Sequence, residues 1–252
     1  MFMSEVFALT PDQGKYLLVG QLGSKAYGTD TAESDDDFSG VAIAPKSHYV
    51  GLDGWENSGT LKIKSQDPNY NAELTAFELR KFLRLCLAFN PNAIPLLYLR
   101  PADYVVTSWT GQMIIRNRDM FTSSNAYRTM TGYAESQRRA VVNGDTGKLG
   151  MKRKELVAKY GYDVKFASHT IRLLRMAIEF FRDGNLITYR EHDKDELLDI
   201  RQGKWTLTRW LAEVDQLLIL ARLAEKEGNL PEKPMYAGVN HMCMDIVAIE
   251  VL

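Results

Sequence analysis

The sequence predicts an α+β protein, whose first half mixes strands and helices and whose second half is mostly helical. Three observations support this. Short apolar runs bounded by glycine, proline and polar residues occur before residue 80, and such runs are typical of strands. After about residue 105, apolar residues recur at helical spacing. No internal repeat or low-complexity linker separates the halves, so we expect them to share an interface.

The predicted elements follow in chain order. Strands are predicted at residues 15–23, which end in a glycine turn, and at 37–45, 61–63 and 72–78. The predicted helices cover residues 79–89, 92–99, 124–142, 163–184 and 206–228, followed by a C-terminal apolar segment. We therefore expect a core domain at residues 1–105 that holds the functional site. Residues 106–252 are expected to form a helical domain that closes the cleft and contributes basic residues.

Composition is that of an ordinary globular protein. The 252 residues are 45% hydrophobic and 25% charged, and the longest apolar runs are far shorter than the ~20 residues needed to cross a bilayer. The first residues show neither a basic leader nor a sustained apolar core, which favours a cytoplasmic protein without a membrane partner. Cys86 and Cys243 both lie in apolar contexts, and we expect buried free thiols.

The net charge of −1 hides a division along the chain. Residues 1–105 carry 9 basic against 13 acidic side chains, whereas residues 106–252 carry 22 against 19. The second part contains a local basic stretch, and its candidates for contact with phosphate or nucleic acid are Arg138, Arg139, Lys152, Arg153 and Lys154. A solvated helix face is the alternative interpretation of this stretch.

Three consecutive aspartates precede the second predicted strand. Because alternate side chains of a strand share a face, Asp35 and Asp37 should point together and Asp36 away from them. Two neighbouring carboxylates repel each other, and a divalent cation relieves that repulsion. Magnesium takes hard oxygen ligands together with substrate phosphates, so the pair predicts a Mg²⁺ site, with Mn²⁺ as a substitute.

A glycine-serine pair follows the first predicted strand. Gly23 permits a tight turn and the close approach of a phosphate group. The hydroxyl of Ser24 is suited either to capping the short helix that follows or to binding a phosphate oxygen. We therefore expect the turn to face the phosphate groups of a ligand.

The combined pattern is an apolar strand, Gly-Ser, a ten-residue interval, and Asp-x-Asp entering a second apolar strand. It resembles the nucleotidyltransferase superfamily that includes DNA polymerase β. The stretch GSKAYGT, followed by SDDDFSG, is similar to a branch of predicted bacterial and phage nucleotidyltransferases with Gly-Ser-x-Ala-Tyr-Gly and Ser-Asp-x-Asp-x-x-Gly. The similarity extends over most of residues 17–205.

The resemblance implies a small mixed sheet with helices and transfer of a nucleoside monophosphate from an NTP, such as ATP, with release of pyrophosphate. It assigns Asp35 and Asp37 to the metal, and the turn at Gly23, Ser24 and Lys25 to the triphosphate. A third carboxylate on a later strand is expected to complete the metal site and to help activate the acceptor hydroxyl. Glu73 matches it by position, although aspartate is usual there, so Asp35, Asp37 and Glu73 are the expected ligands of two metal ions and the expected catalytic residues. Glu78 is a weaker candidate, and a solvent-exposed strand-edge glutamate is the alternative interpretation of Glu73.

A second group of polar residues lies in the predicted helix at residues 163–184. Lys165, His169 and Arg172 are spaced i, i+4 and i+7, so they share one helical face. The run also resembles a Lys-x-Ala-x-His-x-x-Arg-Leu pattern of the same family, with Phe166 between the lysine and Ala167, which aligns with the alanine. We expect this face to bind the triphosphate or the acceptor, whereas a solvated stripe is the alternative.

The leading functional hypothesis is a magnesium-dependent nucleotidyltransferase that acts on RNA, such as a tRNA or a broken 3′ end. One alternative keeps the reaction but transfers the nucleotide to a protein hydroxyl or a small molecule. Another is a non-catalytic nucleotide-binding or RNA-binding module with a degenerate site, as suggested by Glu73 and Asp36. The basic stretch favours the first hypothesis, and the weak overall basicity favours the second.

Overall fold

The computed structural model describes residues 6–32, 34–56, 58–65, 67, 70–143 and 151–252, with only the backbone described at 151 and 152. The chain divides into two compact units, one of residues up to Thr122 together with Lys233–Leu252 and the other of Ser123–Glu232. The sequence-based boundary lies at residue 105 instead. The difference arises because residues 106–122 include the end of the last strand of the sheet and a helix that packs on the sheet. The C-terminal helix also packs against this first unit.

A five-stranded mixed sheet forms the centre of the first unit. Its strands are β1 (Lys15–Gln21), β2 (Asp36–Ile43), β3 (Thr60–Lys64), β4 (Ala72–Glu78) and β5 (Tyr104–Thr107), in the spatial order β3-β4-β2-β1-β5. The strands β2 and β4 are parallel, and every other neighbouring pair in this sheet is antiparallel. The predicted small mixed sheet is confirmed. The sequence did not predict β5, which is a short, partly exposed edge strand.

Helices make up most of the rest of the described chain. They are α1 (Gly23–Ala26), α2 (Lys46–Val50), α3 (Leu79–Leu87), α4 (Trp109–Arg116), α5 (Asn125–Asn143), α6 (Met151–Tyr160), α7 (Val164–Asp183), α8 (Lys194–Arg201), α9 (Leu207–Glu227) and α10 (Tyr236–Glu250). Short 3-10 helices occur at Pro11–Gln13, Ile94–Tyr98, Pro101–Asp103 and Arg118–Phe121. Ile94–Tyr98 lies in a segment predicted as an ordinary helix. Its Pro95 cannot donate a backbone hydrogen bond and suits the first turn of a short helix.

The core of the first unit lies on both sides of the central strands. Val19, Phe38 and Leu74 come from three neighbouring strands and pack in one apolar cluster. Helix α3 buries one face against β2 and β4, and Cys86 on that face is fully buried. Both cysteines are free, although Cys243 is only partly buried. Burial raises the pKa of each thiol, as expected for packing residues rather than reactive ones.

The second unit is helical, as predicted, and is organised around α7. This helix packs against α5, α8 and α9. Asp163 caps its first turn by accepting bonds from two backbone N–H groups, and Gly184 ends it in the left-handed conformation with φ of 68°. The fully buried Trp210 of α9 donates a hydrogen bond to Ala167 O at 3.0 Å. These contacts define the ends of α7 and hold α9 against it.

In the described part of the chain, no helix is both long and apolar enough to cross a bilayer.

Candidate active site

The parallel pairing of β2 and β4 brings the candidate carboxylates together at one end of the sheet. Asp37 lies directly across from Glu73 in the register. Asp35 stands just before β2, and Asn71, just before β4, donates a short hydrogen bond to its Oδ1 atom. Since side chains two residues apart share a face, the three carboxylates follow the same face of the strand pair.

Gly23 lies against the carboxylate of Asp37. It has φ of +65°, and a Cβ atom at this position would stand 2.4 Å from Asp37 Oδ2 and 2.8 Å from Asp37 Cβ. The N–H of Leu22 donates to Asp37 O at 2.7 Å, which joins the turn to the start of β2. The glycine is therefore required by both its conformation and its close contact. The turn and the aspartate, which the sequence assigned to one site, do lie side by side.

Ser24 and Thr29 show how the turn continues. The short helix α1 begins at Gly23, so Ser24 is inside it and Leu22 occupies the capping position without a side-chain bond. Ser24 O accepts a hydrogen bond from Thr29 N at 2.9 Å. The capping role considered for the Ser24 hydroxyl is therefore excluded, and the phosphate-binding role stays a prediction.

Asp36 faces away from this site and holds its surroundings in place. Gln21 Nε2 donates to Asp36 Oδ1 at 2.6 Å, and Lys25 Nζ lies 2.5 Å from the same oxygen. Burial, followed by the hydrogen bond to Asp36 and the charge of that residue, raises the pKa of Tyr70 to about 12. The middle aspartate thus ties together the end of β1, the helix α1 and the segment before β4. Lys25, a candidate nucleotide ligand, is engaged in this ion pair.

Glu73 and Glu78 lie at opposite ends of β4. The side chain of Glu73 is 42% exposed, and its Oε1 lies 3.9 Å from Lys62 Nζ. Glu78 is buried and accepts hydrogen bonds from Tyr49 Oη at 2.8 Å and from Lys81 N at 3.1 Å, the latter as the cap of α3. The odd spacing between the two glutamates also puts them on opposite faces of the strand. Glu78 is therefore a structural residue, and Glu73 stays the candidate.

The donor set fits a hard divalent cation. Asp35 and Asp37 offer exposed carboxylate oxygens on one face, which are ligands that Mg²⁺ and Mn²⁺ accept together with water and phosphate. Among the side chains that the structure describes, no group of three or more His, Cys, Asp or Glu residues is arranged to hold a metal ion. A metal bound by two aspartates would complete its coordination with phosphate oxygens and water.

A second candidate site lies in the helical unit around His169. Burial comes first among the causes that lower the pKa of His169 to about 3, followed by the positive charges of Arg172, Arg153 and Lys165. The sequence grouped Lys165, His169 and Arg172, and the structure confirms that they belong to one continuous helix. Arg153 of α6, which the sequence assigned to the acceptor-binding set, joins them.

The sequence did not single out the side chains that hold His169 in place. Gln137 of α5 is buried, and its Nε2 lies 3.0 Å from His169 Nδ1. The ring of Tyr133, one helical turn earlier, stands 5.8 Å from the imidazole ring between centroids. Their spacing in the predicted helix at residues 124–142 puts them on one face, but only packing reveals that this face meets α7.

The remaining basic candidates that the structure describes differ in their surroundings. Arg138 pairs with Asp215 at 2.8 Å and with Glu135 at 3.8 Å, so carboxylates offset its charge. Arg139 and Lys154 are exposed on α5 and α6 respectively. The side chain of Lys152 lies outside the described residues. The basic stretch therefore divides into one arginine of the cluster, one paired arginine and two solvated cations.

The chain is similar to a known protein family and to a phage protein. A model of the family described as "RlaP: RNA repair pathway DNA polymerase beta family" matches residues 10–245. A curated protein of Enterobacteria phage T4, called "Uncharacterized 38.9 kDa protein in nrdC-mobD intergenic region", is 26% identical over 151 residues. That match covers 57% of this chain and 41% of the phage protein, so the chain spans about two-fifths of this relative's length.

Proposed function

The chain belongs to the RNA repair pathway DNA polymerase beta family, a family of polymerase beta-like nucleotidyltransferases, and on this premise we propose a reaction for it. The proposed reaction is metal-dependent transfer of a nucleoside monophosphate from an NTP to a hydroxyl group of RNA. The acceptor oxygen forms a bond to the α-phosphorus, the bond from that phosphorus to the bridging oxygen breaks, and pyrophosphate leaves with that oxygen.

The observation that carries the proposal is the contact between the Gly23 turn and the Asp37 carboxylate. A Cβ atom at residue 23 would collide with Asp37 Oδ2 at 2.4 Å, so turn and carboxylate form a single surface. Asp35 and Glu73 extend this surface along β2 and β4. A phosphate group resting on the turn would therefore stand next to the carboxylates that hold its counter-ion.

Each residue has a separate part in the proposed reaction. A bound Mg²⁺ or Mn²⁺ supplies neutralisation of phosphate charge and alignment of the reacting oxygens. Asp35 and Asp37 would hold that ion, and Gly23 and Ser24 would receive the triphosphate. Lys25 would join them by exchanging its ion pair with Asp36 for a phosphate oxygen. Glu73 accepts the proton of the acceptor hydroxyl as its oxygen attacks. Positioning and charge neutralisation account for most of the rate gain in such reactions.

Two features support RNA as the acceptor. The description of the family names an RNA repair pathway, which supports a nucleotide and RNA as substrates. In the helical unit, Arg139 and Lys154 are exposed cations of the kind that contact a phosphate backbone. We propose that they contact the acceptor, with Lys165, His169 and Arg172 binding phosphate groups.

A second candidate keeps the chemistry but uses a protein hydroxyl or a small molecule as the acceptor. The net charge of −1 favours it, because a polyanionic partner usually selects a basic protein. Pairing of Arg138 with two carboxylates also reduces the positive charge that is available to RNA. The following experiment separates these candidates from a non-catalytic binding module.

The test is incubation of the protein with each labelled NTP, Mg²⁺ or Mn²⁺, and total RNA. We expect label on RNA, and we expect its loss in Asp37→Ala and after chelation of the metal. Asp30→Ala is the matched control, because Asp30 is an exposed aspartate of the same segment. Label on a protein or on a small molecule, and not on RNA, would identify that molecule as the acceptor instead of RNA. Turnover that is absent with every acceptor would contradict nucleotidyl transfer altogether.

A further inference from the structure

We propose that Ser39 of β2 is a positioning residue of the carboxylate site. Its hydroxyl group donates a hydrogen bond to Asp37 when that carboxylate binds a divalent cation, so that one oxygen of Asp37 serves the metal ion and the other accepts the proton of Ser39. The inference rests on the proposed function, because it concerns the same metal site. Ser39 stands at a variable position of the Ser-Asp-x-Asp-x-x-Gly pattern, and the pattern assigns it no role.

The hydroxyl group of Ser39 is a buried polar group. Ser39 is 4% exposed, and its Oγ atom has no hydrogen-bond partner among the residues that the structure describes. An unpaired buried hydroxyl lowers the free energy of unfolding, because the group gives up its bonds to water and gains none in return. Native proteins keep few such groups, and a role in catalysis or in ion binding is one reason for keeping them.

Ser39 lies on the same face of the sheet as the candidate metal ligands. It follows Asp37 by two residues in β2, and alternate side chains of a strand share a face. In the parallel register it stands opposite Thr75, which follows Glu73 by two residues in β4. Ser39 and Thr75 are therefore the next pair of side chains on this face after Asp37 and Glu73. Side chains that lean along a strand can meet over this spacing of about 7 Å.

The side of Ser39 that faces β1 is apolar. In the antiparallel register with β1, Ser39 stands opposite Gly20. A Cβ atom built on Gly20 would lie 2.4 Å from Leu99 Cδ1 and 3.0 Å from Leu96 Cδ1, so leucine side chains occupy the space over this glycine. These side chains offer the hydroxyl group no acceptor. The carboxylate of Asp37 is the charged acceptor that precedes Ser39 on its own strand and face.

The two oxygens of Asp37 allow this division of labour. Its Oδ2 atom lies on the side of the Gly23 turn, where the proposed phosphate group and its counter-ion would stand. A carboxylate that serves a cation through one oxygen keeps lone pairs on the other, and hydrogen bonds to metal ligands fix their orientation. A hydrogen bond that forms with the bound cation strengthens cation binding and offsets the cost of the unpaired hydroxyl group of Ser39.

Ser168 of α7 shows what a structural serine looks like. It is 6% exposed, so its burial is similar to that of Ser39, but its hydroxyl group donates to Leu197 O at 3.0 Å. Removal of this hydroxyl group should lower stability, because a buried carbonyl oxygen loses its donor. Removal of the Ser39 hydroxyl group should raise the stability of the metal-free protein, because an unpaired group disappears. The two serines therefore predict opposite changes in stability.

The test makes two measurements on the full chain with Ser39→Ala. The first is the thermal unfolding temperature in the presence of a chelator, which should rise above that of wild type. The second is the binding of Mn²⁺ together with a non-hydrolysable ATP analogue, followed by electron paramagnetic resonance, and this binding should weaken about tenfold. A role in packing alone would not raise stability and weaken metal binding together. Ser39→Thr keeps the donor and should restore most of the binding.

Ser168→Ala is the matched control, and it should unfold at a lower temperature but bind Mn²⁺ as wild type does. Equal Mn²⁺ binding by wild type and Ser39→Ala would overturn this inference and leave the proposed function standing. A lower unfolding temperature of Ser39→Ala with chelator present would also overturn it, because the hydroxyl group would then have a partner in the metal-free protein. A wild-type protein that binds no Mn²⁺ would contradict the metal site itself, and with it both proposals.

Discussion

The parallel strands β2 and β4 carry acidic residues at both ends, and the two ends differ in burial and in hydrogen bonding. At the first end, Asp37 faces Glu73 across the register, and both side chains reach solvent. At the second end, Ala42 faces Glu78, which is 4% exposed and bonded to Tyr49 and a helix N-terminus. The residue type alone therefore does not identify a functional carboxylate.

The comparison separates stability from binding. A buried carboxylate must be hydrogen-bonded, because burying one without partners lowers the free energy of unfolding by roughly several kcal/mol. Accordingly, burial and then the charge of Glu78 raise the pKa of its donor Tyr49, which keeps the phenol protonated. Neighbouring exposed carboxylates repel each other and gain when a cation arrives. We therefore expect substitutions at the first end to affect turnover and substitutions at the second to affect folding.

The largest effect is expected for Asp35→Ala and Asp37→Ala. Each should lower metal-dependent NTP turnover about a thousandfold, because the charge that holds the counter-ion of the phosphates is lost. The thermal unfolding temperature should be unchanged or slightly higher, because a repulsion between like charges is removed. Turnover is measured by pyrophosphate release. Full turnover in both variants would remove the assignment of this site.

A smaller loss is expected for Glu73→Gln. The change keeps the size of the side chain and removes the proton acceptor, so turnover should fall about a hundredfold. Lys62→Gln is the control, because Lys62 Nζ lies 3.9 Å from Glu73 and takes no part in the proposed reaction. Equal rates for wild type and Glu73→Gln would assign Glu73 to a solvated strand edge.

Glu78→Ala should have the opposite signature. Loss of the helix cap and of the bond to Tyr49 should lower the stability of β4 and α3 by about 2 kcal/mol. Hydrogen exchange of peptides from these elements in increasing urea measures this loss. Glu78→Gln can keep both bonds and should lose less. A variant as stable as wild type but inactive would reverse the comparison.

The smallest effect is expected for Gly23→Ala. Its Cβ would lie 2.4 Å from Asp37 Oδ2 at a φ of +65°, so the aspartate must shift and the turn is strained. We expect kcat/KM for the NTP to fall about tenfold and stability to fall by about 1 kcal/mol. Gly54→Ala is the control, since nothing lies within 4 Å of a Cβ built there. Similar losses in both variants would show that the turn has no special contact with the site.

Much of the first unit was predictable because its signals are local. Alternation of apolar and polar residues and turn chemistry predict the strands β1 to β4 and the glycine turn. The same alternation puts Asp35 and Asp37 on one face. The sequence also contained the information to exclude Glu78 from the metal site, because its odd spacing from Glu73 puts it on the other face of the strand. Strand β5 was missed because four half-exposed residues give no clear pattern.

What the sequence could not supply depends on packing between distant segments. Lys25 was predicted as a nucleotide ligand, but its pairing with Asp36 requires knowledge of where α1 turns. Arg153 was separated from Lys165 and His169 because their proximity arises from the packing of α6 on α7. No sequence motif identifies Gln137 as a site residue, because its contact with the imidazole of His169 arises only from the packing of α5 on α7. Such contacts are decided by tertiary structure rather than by periodicity.

The most direct test of the central claim is the binding of Mn²⁺ in the presence of a non-hydrolysable NTP analogue, followed by electron paramagnetic resonance. The account predicts a bound Mn²⁺–nucleotide signal in wild type and in Glu78→Gln. It predicts loss of that signal in the variant that combines Asp35→Asn with Asp37→Asn. Equal binding of Mn²⁺ and nucleotide by wild type and this double variant would contradict the claim that these two aspartates form the metal site.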